Sequence, residues 1–224
     1  MLVAILVVLG LLVPAAAPFL LLTPRAPKPP ADVETVAALE AYLSLLTANG
    51  TPPAIDVTVM RDGAVVYARA FGTADGPRGV SAPPDGIYHF WSVTKLFTAT
   101  AIMQLRDAGA LDLDDRLELH LPGIENGSPT FRRMLSHLSG MQREVGEMIV
   151  EGFTPTEEDL KVGFALPPAR AHHYSNLAFG LLGRVVAAKS GMPYMRYVDE
   201  RILQPLGLAR TTWYAEPPKA QGYL

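Results

Sequence analysis

Ser92-Val-Thr-Lys95 decides the reading of this chain, because it sets a hydroxyl and an amine three residues apart at the head of an apolar-periodic run. Val93, Leu96, Phe97, Ala101, Ile102 and Leu105 recur at spacings of three and four, and Gly109 follows as a stop signal, so the run predicts a helix. Residues three apart share a helix face, which brings the Lys95 amine within reach of the Ser92 hydroxyl. A serine whose proton can be taken by a neighbouring base is an activated nucleophile, and the chemistry indicated is covalent acyl transfer. For the amine to act as that base it must lose its own proton, which calls for burial; Phe90, Trp91 and Phe97 are the rings expected to supply it.

A phenol and an amide stand two residues apart in Tyr174-Ser-Asn176, directly before a second periodic run from Leu177 to Lys189. Leu177, Ala178, Leu181, Leu182, Val185 and Val186 form its apolar stripe and Gly191 stops it, with Ser175 or Asn176 as the cap. A phenol can also relay protons. His137-Leu-Ser-Gly140 follows a short helical run from Phe131 to Leu135 and reads as a structural turn.

The order and context of these segments resemble the serine β-lactamase and penicillin-binding-protein superfamily, nearest to its class C and esterase-like branch. The resemblance runs over Ile55 to Gly72, Phe90 to Asp115, Thr130 to Met141, and Tyr174 to Trp213 with its Gln204-Pro-Leu-Gly207 turn. It implies an α+β fold of β-lactamase/transpeptidase type, in which helices pack on an antiparallel sheet. It also implies an acyl-enzyme on Ser92 formed with a β-lactam, a D-Ala peptide or an ester, with Lys95 and Tyr174 sharing acid and base work and Asn176 contacting a small-molecule or peptidoglycan-like substrate. No cofactor is implied.

The superfamily's third motif is a Lys or His followed by a small residue and Gly on a later strand, and no such segment follows Tyr174. That strand also carries one backbone donor of the oxyanion hole, so the chain as written is expected to lack the C-terminal strands and to be a weak enzyme. The alternative is a non-catalytic, membrane-tethered binding or scaffold module.

The remaining features bound these readings. A chain with 49% hydrophobic and 18% charged residues is expected to fold, and a net charge of -3 argues against nucleic acid as a partner. With no cysteine there is no disulfide and no thiolate metal site. His172 and His173 have no further ligand at metal spacing, and Asp112, Asp114 and Asp115 alternate with leucines as turn residues do.

Residues 1–22 carry no charged side chain and would span about 33 Å as a helix, so they read as a signal peptide or membrane anchor. Residues 23–30 form a Pro-rich tether, and residues 31–224 form one incomplete domain. Export to the periplasm or cell exterior, free or anchored, is the expected placement. After the tether come a helix over Val33–Ala48 capped by Asp32, a hairpin turning at Arg61-Asp-Gly63, a loop over Gly72–Gly86, and a segment from Glu144 to Ala165 in which Thr156 and Asp159 can open a helix.

Overall fold

The computed structural model describes residues 27–28, 35–50, 52–83, 86–121, 123–124, 128–141 and 172–213. The leader, most of the tether and the segment from Glu144 to Ala165 therefore lie outside the described residues. The chain divides into two compact units, with residues up to His89 in the first and Phe90–Tyr214 in the second. Among the described residues no helix is long and apolar enough to cross a membrane.

In the first unit, helix α1 runs from Val36 to Ala48. Its cap is Thr35, whose hydroxyl accepts the Ala38 N–H at 3.2 Å, and not the expected Asp32. Strand β1 (Ala54–Arg61) pairs antiparallel with β2 (Ala64–Asp75) around a two-residue turn. Asp62 and Gly63 have φ of 50° and 78°, and two consecutive positive φ values give the turn a twist that matches the strands it joins.

The expected loop after Gly72 is in part a sheet, since β2 continues to Asp75 and a short β3 (Val80–Ser81) pairs back onto it. Asp75 helps close that turn by accepting the Arg78 N–H through Oδ1. Where the backbone leaves the hairpin, Gly72 has φ +81°, and a Cβ there would strike the Pro53 carbonyl oxygen and the Thr47 side chain. Helix α1 lies on the hairpin through buried Leu43 and Thr47, and Glu40 bridges Arg69 at 2.6 Å.

The second unit is helical. A 3-10 turn over Trp91–Val93 leads into α2 (Thr94–Asp107), which ends at Ala108 before Gly109 turns the chain with φ +72°. Helix α3 (Phe131–Leu135) is capped by Thr130, and α4 runs from Asn176 to Ser190 with Gly191 in the left-handed region after it. Helix α5 (Tyr194–Val198) passes directly into a π-helical turn over Asp199–Leu203, which the sequence pattern does not announce.

The core forms where α2 meets α4. Ala101, Ile102 and Leu105 pack with Leu177, Ala178, Leu181, Leu182, Val185 and Val186, and Phe131, Met134, Val198 and Ile202 close the sides. The stripe expected on α4 is buried in full. On the stripe expected over Val93–Leu105 the outcome is divided, because Val93 and Leu96 are 50% and 67% exposed while Thr98 is buried. Thr98 is accommodated there by a 2.7 Å hydrogen bond with the Tyr194 hydroxyl, which satisfies both polar groups.

The acidic run is structural. Asp115 accepts the Asp112 N–H and lies 2.9 Å from His120 Nε2, Asp112 accepts the Asp114 N–H, and Asp114 takes two 2.8 Å bonds from Arg132. Among the described residues no group of three His, Cys, Asp or Glu is placed to hold a metal ion.

Candidate active site

Packing α2 against α4 brings their N-terminal ends together, and the predicted residues meet there. Lys95 Nζ donates to Asn176 Oδ1 at 2.6 Å and to Ser92 Oγ at 3.4 Å. The Tyr174 hydroxyl lies 2.6 Å from Ser92 Oγ, although the two residues are 82 positions apart. Ser92 is exposed, and Lys95, Tyr174 and Asn176 are half-buried behind it. An exposed hydroxyl backed by two groups able to hold or move a proton is accessible to a substrate carbonyl.

The division of labour at the head of α4 is explicit. Ser175, fully buried, is the cap, accepting the Ala178 N–H at 3.1 Å. Asn176 is therefore released from capping, and its amide oxygen faces Lys95.

The aromatic surroundings of Lys95 differ from those expected. Phe90 and Trp91 are 44% and 63% exposed, and Phe90 stacks with Phe97 at 6.1 Å. The rings beneath the ammonium are Tyr174 and Phe179, at 4.7 and 5.6 Å from Nζ. A cation over two ring faces is held electrostatically as well as by hydrogen bonds. Phe179 follows Asn176 by three positions on the same helix face, a spacing from which its place could have been read.

His137 also belongs to this neighbourhood. Its ring stacks on Tyr174 at 4.4 Å and lies 5.1 Å from the Phe179 ring. Its Nδ1 accepts the Ser175 N–H at 3.1 Å, which requires the proton of the neutral imidazole to sit on Nε2. Burial first, then the positive charges of His172 and Lys95, push this imidazole below the usual histidine range. The expected turn is present, with φ +57° at His137 and +75° at Gly140. His172 and His173 are exposed, the former edge-on to His137 and the latter with Nδ1 at 3.2 Å from the Met141 carbonyl.

The residue before the serine is strained. Trp91 has φ +46°, a region that bulky side chains rarely occupy. Trp91→Gly is expected to raise stability, because the left-handed conformation costs about 1–2 kcal/mol for a side chain and glycine's extra chain entropy costs about 0.5–1 kcal/mol. Urea unfolding measures the balance; a lowered midpoint would mean that contacts of the indole outweigh the backbone strain.

A serine and a lysine one turn apart, faced by a tyrosine and an asparagine from the head of a second helix, form an arrangement of the kind a serine hydrolase uses. The chain belongs to the Beta-lactamase family, whose model matches residues 39–224. It is 33% identical over 204 residues to Beta-lactamase-like protein 2 of Dictyostelium discoideum, covering 79% of this chain and 36% of that protein.

Among solved structures, the octameric penicillin-binding protein homologue from Pyrococcus abyssi superposes with a TM-score of 0.67 at 31% identity, over 78% of this chain and 43% of that one. A class C beta lactamase from Rhodobacter sphaeroides gives 0.62 at 25% identity, over 77% and 49%. The fold is thus of β-lactamase/transpeptidase type and the family is one of serine hydrolases. The chain spans less than half the length of each of these three relatives.

Proposed function

We propose that this chain carries the nucleophile half of an exported serine hydrolase, in which Ser92 attacks the carbonyl of a β-lactam, a D-Ala peptide or an ester. The observation that carries the reading is the convergence of the Tyr174 hydroxyl and the Lys95 ammonium on Ser92 Oγ, at 2.6 and 3.4 Å. As the bond from Oγ to the carbonyl carbon forms, Tyr174, acting as the phenolate beside the Lys95 ammonium, takes the serine proton, and it gives that same proton to the departing nitrogen or oxygen as the bond to it breaks. Water then reverses the sequence and frees Ser92.

Lys95 stays beside both oxygens as a positive charge, and Asn176 fixes its position. The negative charge that develops on the carbonyl oxygen falls beside the N-terminal end of the 3-10 turn and α2, the end at which a helix dipole is positive. The uncharged run over residues 1–22 supports placement outside the cytoplasm, with that segment as leader or anchor.

The test is intact-mass spectrometry of the purified protein after incubation with benzylpenicillin and, separately, p-nitrophenyl acetate. A single covalent adduct that maps to the peptide containing Ser92 is expected with at least one of them. Absence of any adduct with both would overturn the reading.

A further inference from the structure

The segment that carries Tyr174 to Ser92 is fastened at several points to one residue, His137. The His137 carbonyl accepts the His173 N–H at 2.8 Å, its Nδ1 accepts the Ser175 N–H at 3.1 Å, and its ring stacks on the intervening Tyr174 at 4.4 Å. Backbone contacts on both sides of the tyrosine and a ring against its face set where the phenol points.

Two of those contacts belong to the imidazole, and one depends on its protonation. A protonated Nδ1 carries a hydrogen and cannot accept from Ser175. The charged and titratable groups that face the ring are His172 and Tyr174 from its partner segment and Lys95 from α2; α4 presents the uncharged Phe179 ring. On its own turn, Arg133 is directed to the Leu138 carbonyl at 3.1 Å. No carboxylate faces the imidazole among the described residues.

We propose that His137 is a positioning residue for Tyr174 that works only as the neutral imidazole, so that acid switches off acylation at Ser92 by loosening the Tyr174 segment. The inference rests on the reading of Ser92 as nucleophile. The direction of the imidazole's shift, below the 6.5 of an ordinary histidine, puts the switch on the acid side of neutrality. Activity is then retained as pH falls toward that value and is lost only as pH drops through the lowered one. Glycine and asparagine are the residues that best tolerate a left-handed backbone, and asparagine's Oδ1 can stand where Nδ1 stands. His137→Asn therefore keeps the turn and the acceptor and removes the titration.

The experiment follows acyl-adduct formation from p-nitrophenyl acetate between pH 4.5 and 8.5 in the wild type, His137→Asn and His137→Ala. The wild type is expected to lose activity in acid with a midpoint below 6.5. His137→Asn is expected to run about threefold slower near pH 8 through loss of the stack, and to lose that acid limb. His137→Ala is expected to be slower by about tenfold, the worth of one further hydrogen bond. An unchanged acid limb in His137→Asn would overturn the proposal.

A second readout needs no catalysis: the ring resonance of Tyr174, assigned with Tyr174→Phe in tyrosine-labelled protein, is expected to shift with imidazole protonation in the wild type and to be flat in His137→Asn. If the wild type forms no adduct, the nucleophile reading fails and this resonance alone decides the positioning role. A flat resonance in the wild type overturns it.

Discussion

Ser92→Ala is expected to abolish the covalent adduct and to lower turnover of an activated ester by at least about 1000-fold, because removing the nucleophile removes the reaction path and not one contribution to it. The substitution is conservative for the fold. Ser92 is exposed, it lies in a 3-10 turn that an alanine can occupy, and its side chain contacts only Tyr174 and Lys95 among the described hydrogen bonds. A loss of activity with an unchanged unfolding curve therefore reports on chemistry. An adduct of the same mass in the alanine variant would show that another group is acylated and would end the assignment of Ser92.

How far the chain could be read beforehand depended on whether a feature was local. The α4 stripe was legible because Leu177, Leu181, Val185 and their neighbours recur at helical spacing, and every one of those residues is buried. Over Val93–Leu105 the same periodicity runs over two faces, and periodicity alone does not say which one the core takes; Ala101, Ile102 and Leu105 are inside while Val93 and Leu96 are not. The hairpin was legible from its Asp62-Gly63 turn, whereas β3 has only two residues in a Gly-rich tract and no period to detect. By type aspartate is the stronger capping residue, so the sequence favours Asp32, and the Thr35–Ala38 hydrogen bond is what identifies Thr35 as the cap.

Within the site, Ser92 and Lys95 were paired by helix geometry, but the approach of Tyr174 spans 82 positions and could be anticipated only through the family resemblance. The part of His137 was hidden for the opposite reason. Its turn explains the local sequence completely, so nothing in the pattern hints that the ring also reaches Tyr174 and Ser175.

Tyr174→Phe is expected to slow acylation of Ser92 by about 100- to 10,000-fold, the range for loss of a positioned proton-transfer group. Phenylalanine keeps the ring, and with it the 4.4 Å stack on His137 and the face beneath the Lys95 ammonium, so only the hydroxyl 2.6 Å from Ser92 Oγ is removed. Lys95→Met supplies the comparison. It preserves an unbranched side chain in the helix and deletes the charge, leaving Asn176 Oδ1 without its 2.6 Å donor. Because Lys95 Nζ stands at 3.4 Å from Oγ and the phenol oxygen at 2.6 Å, the proposed mechanism assigns the serine proton to Tyr174, the nearer group. Loss of the hydroxyl should therefore cost more than loss of the amine. Rates of p-nitrophenyl acetate acylation measured side by side give the order directly: a larger loss in Lys95→Met than in Tyr174→Phe would transfer the proton-accepting role to the lysine and leave the tyrosine as its support.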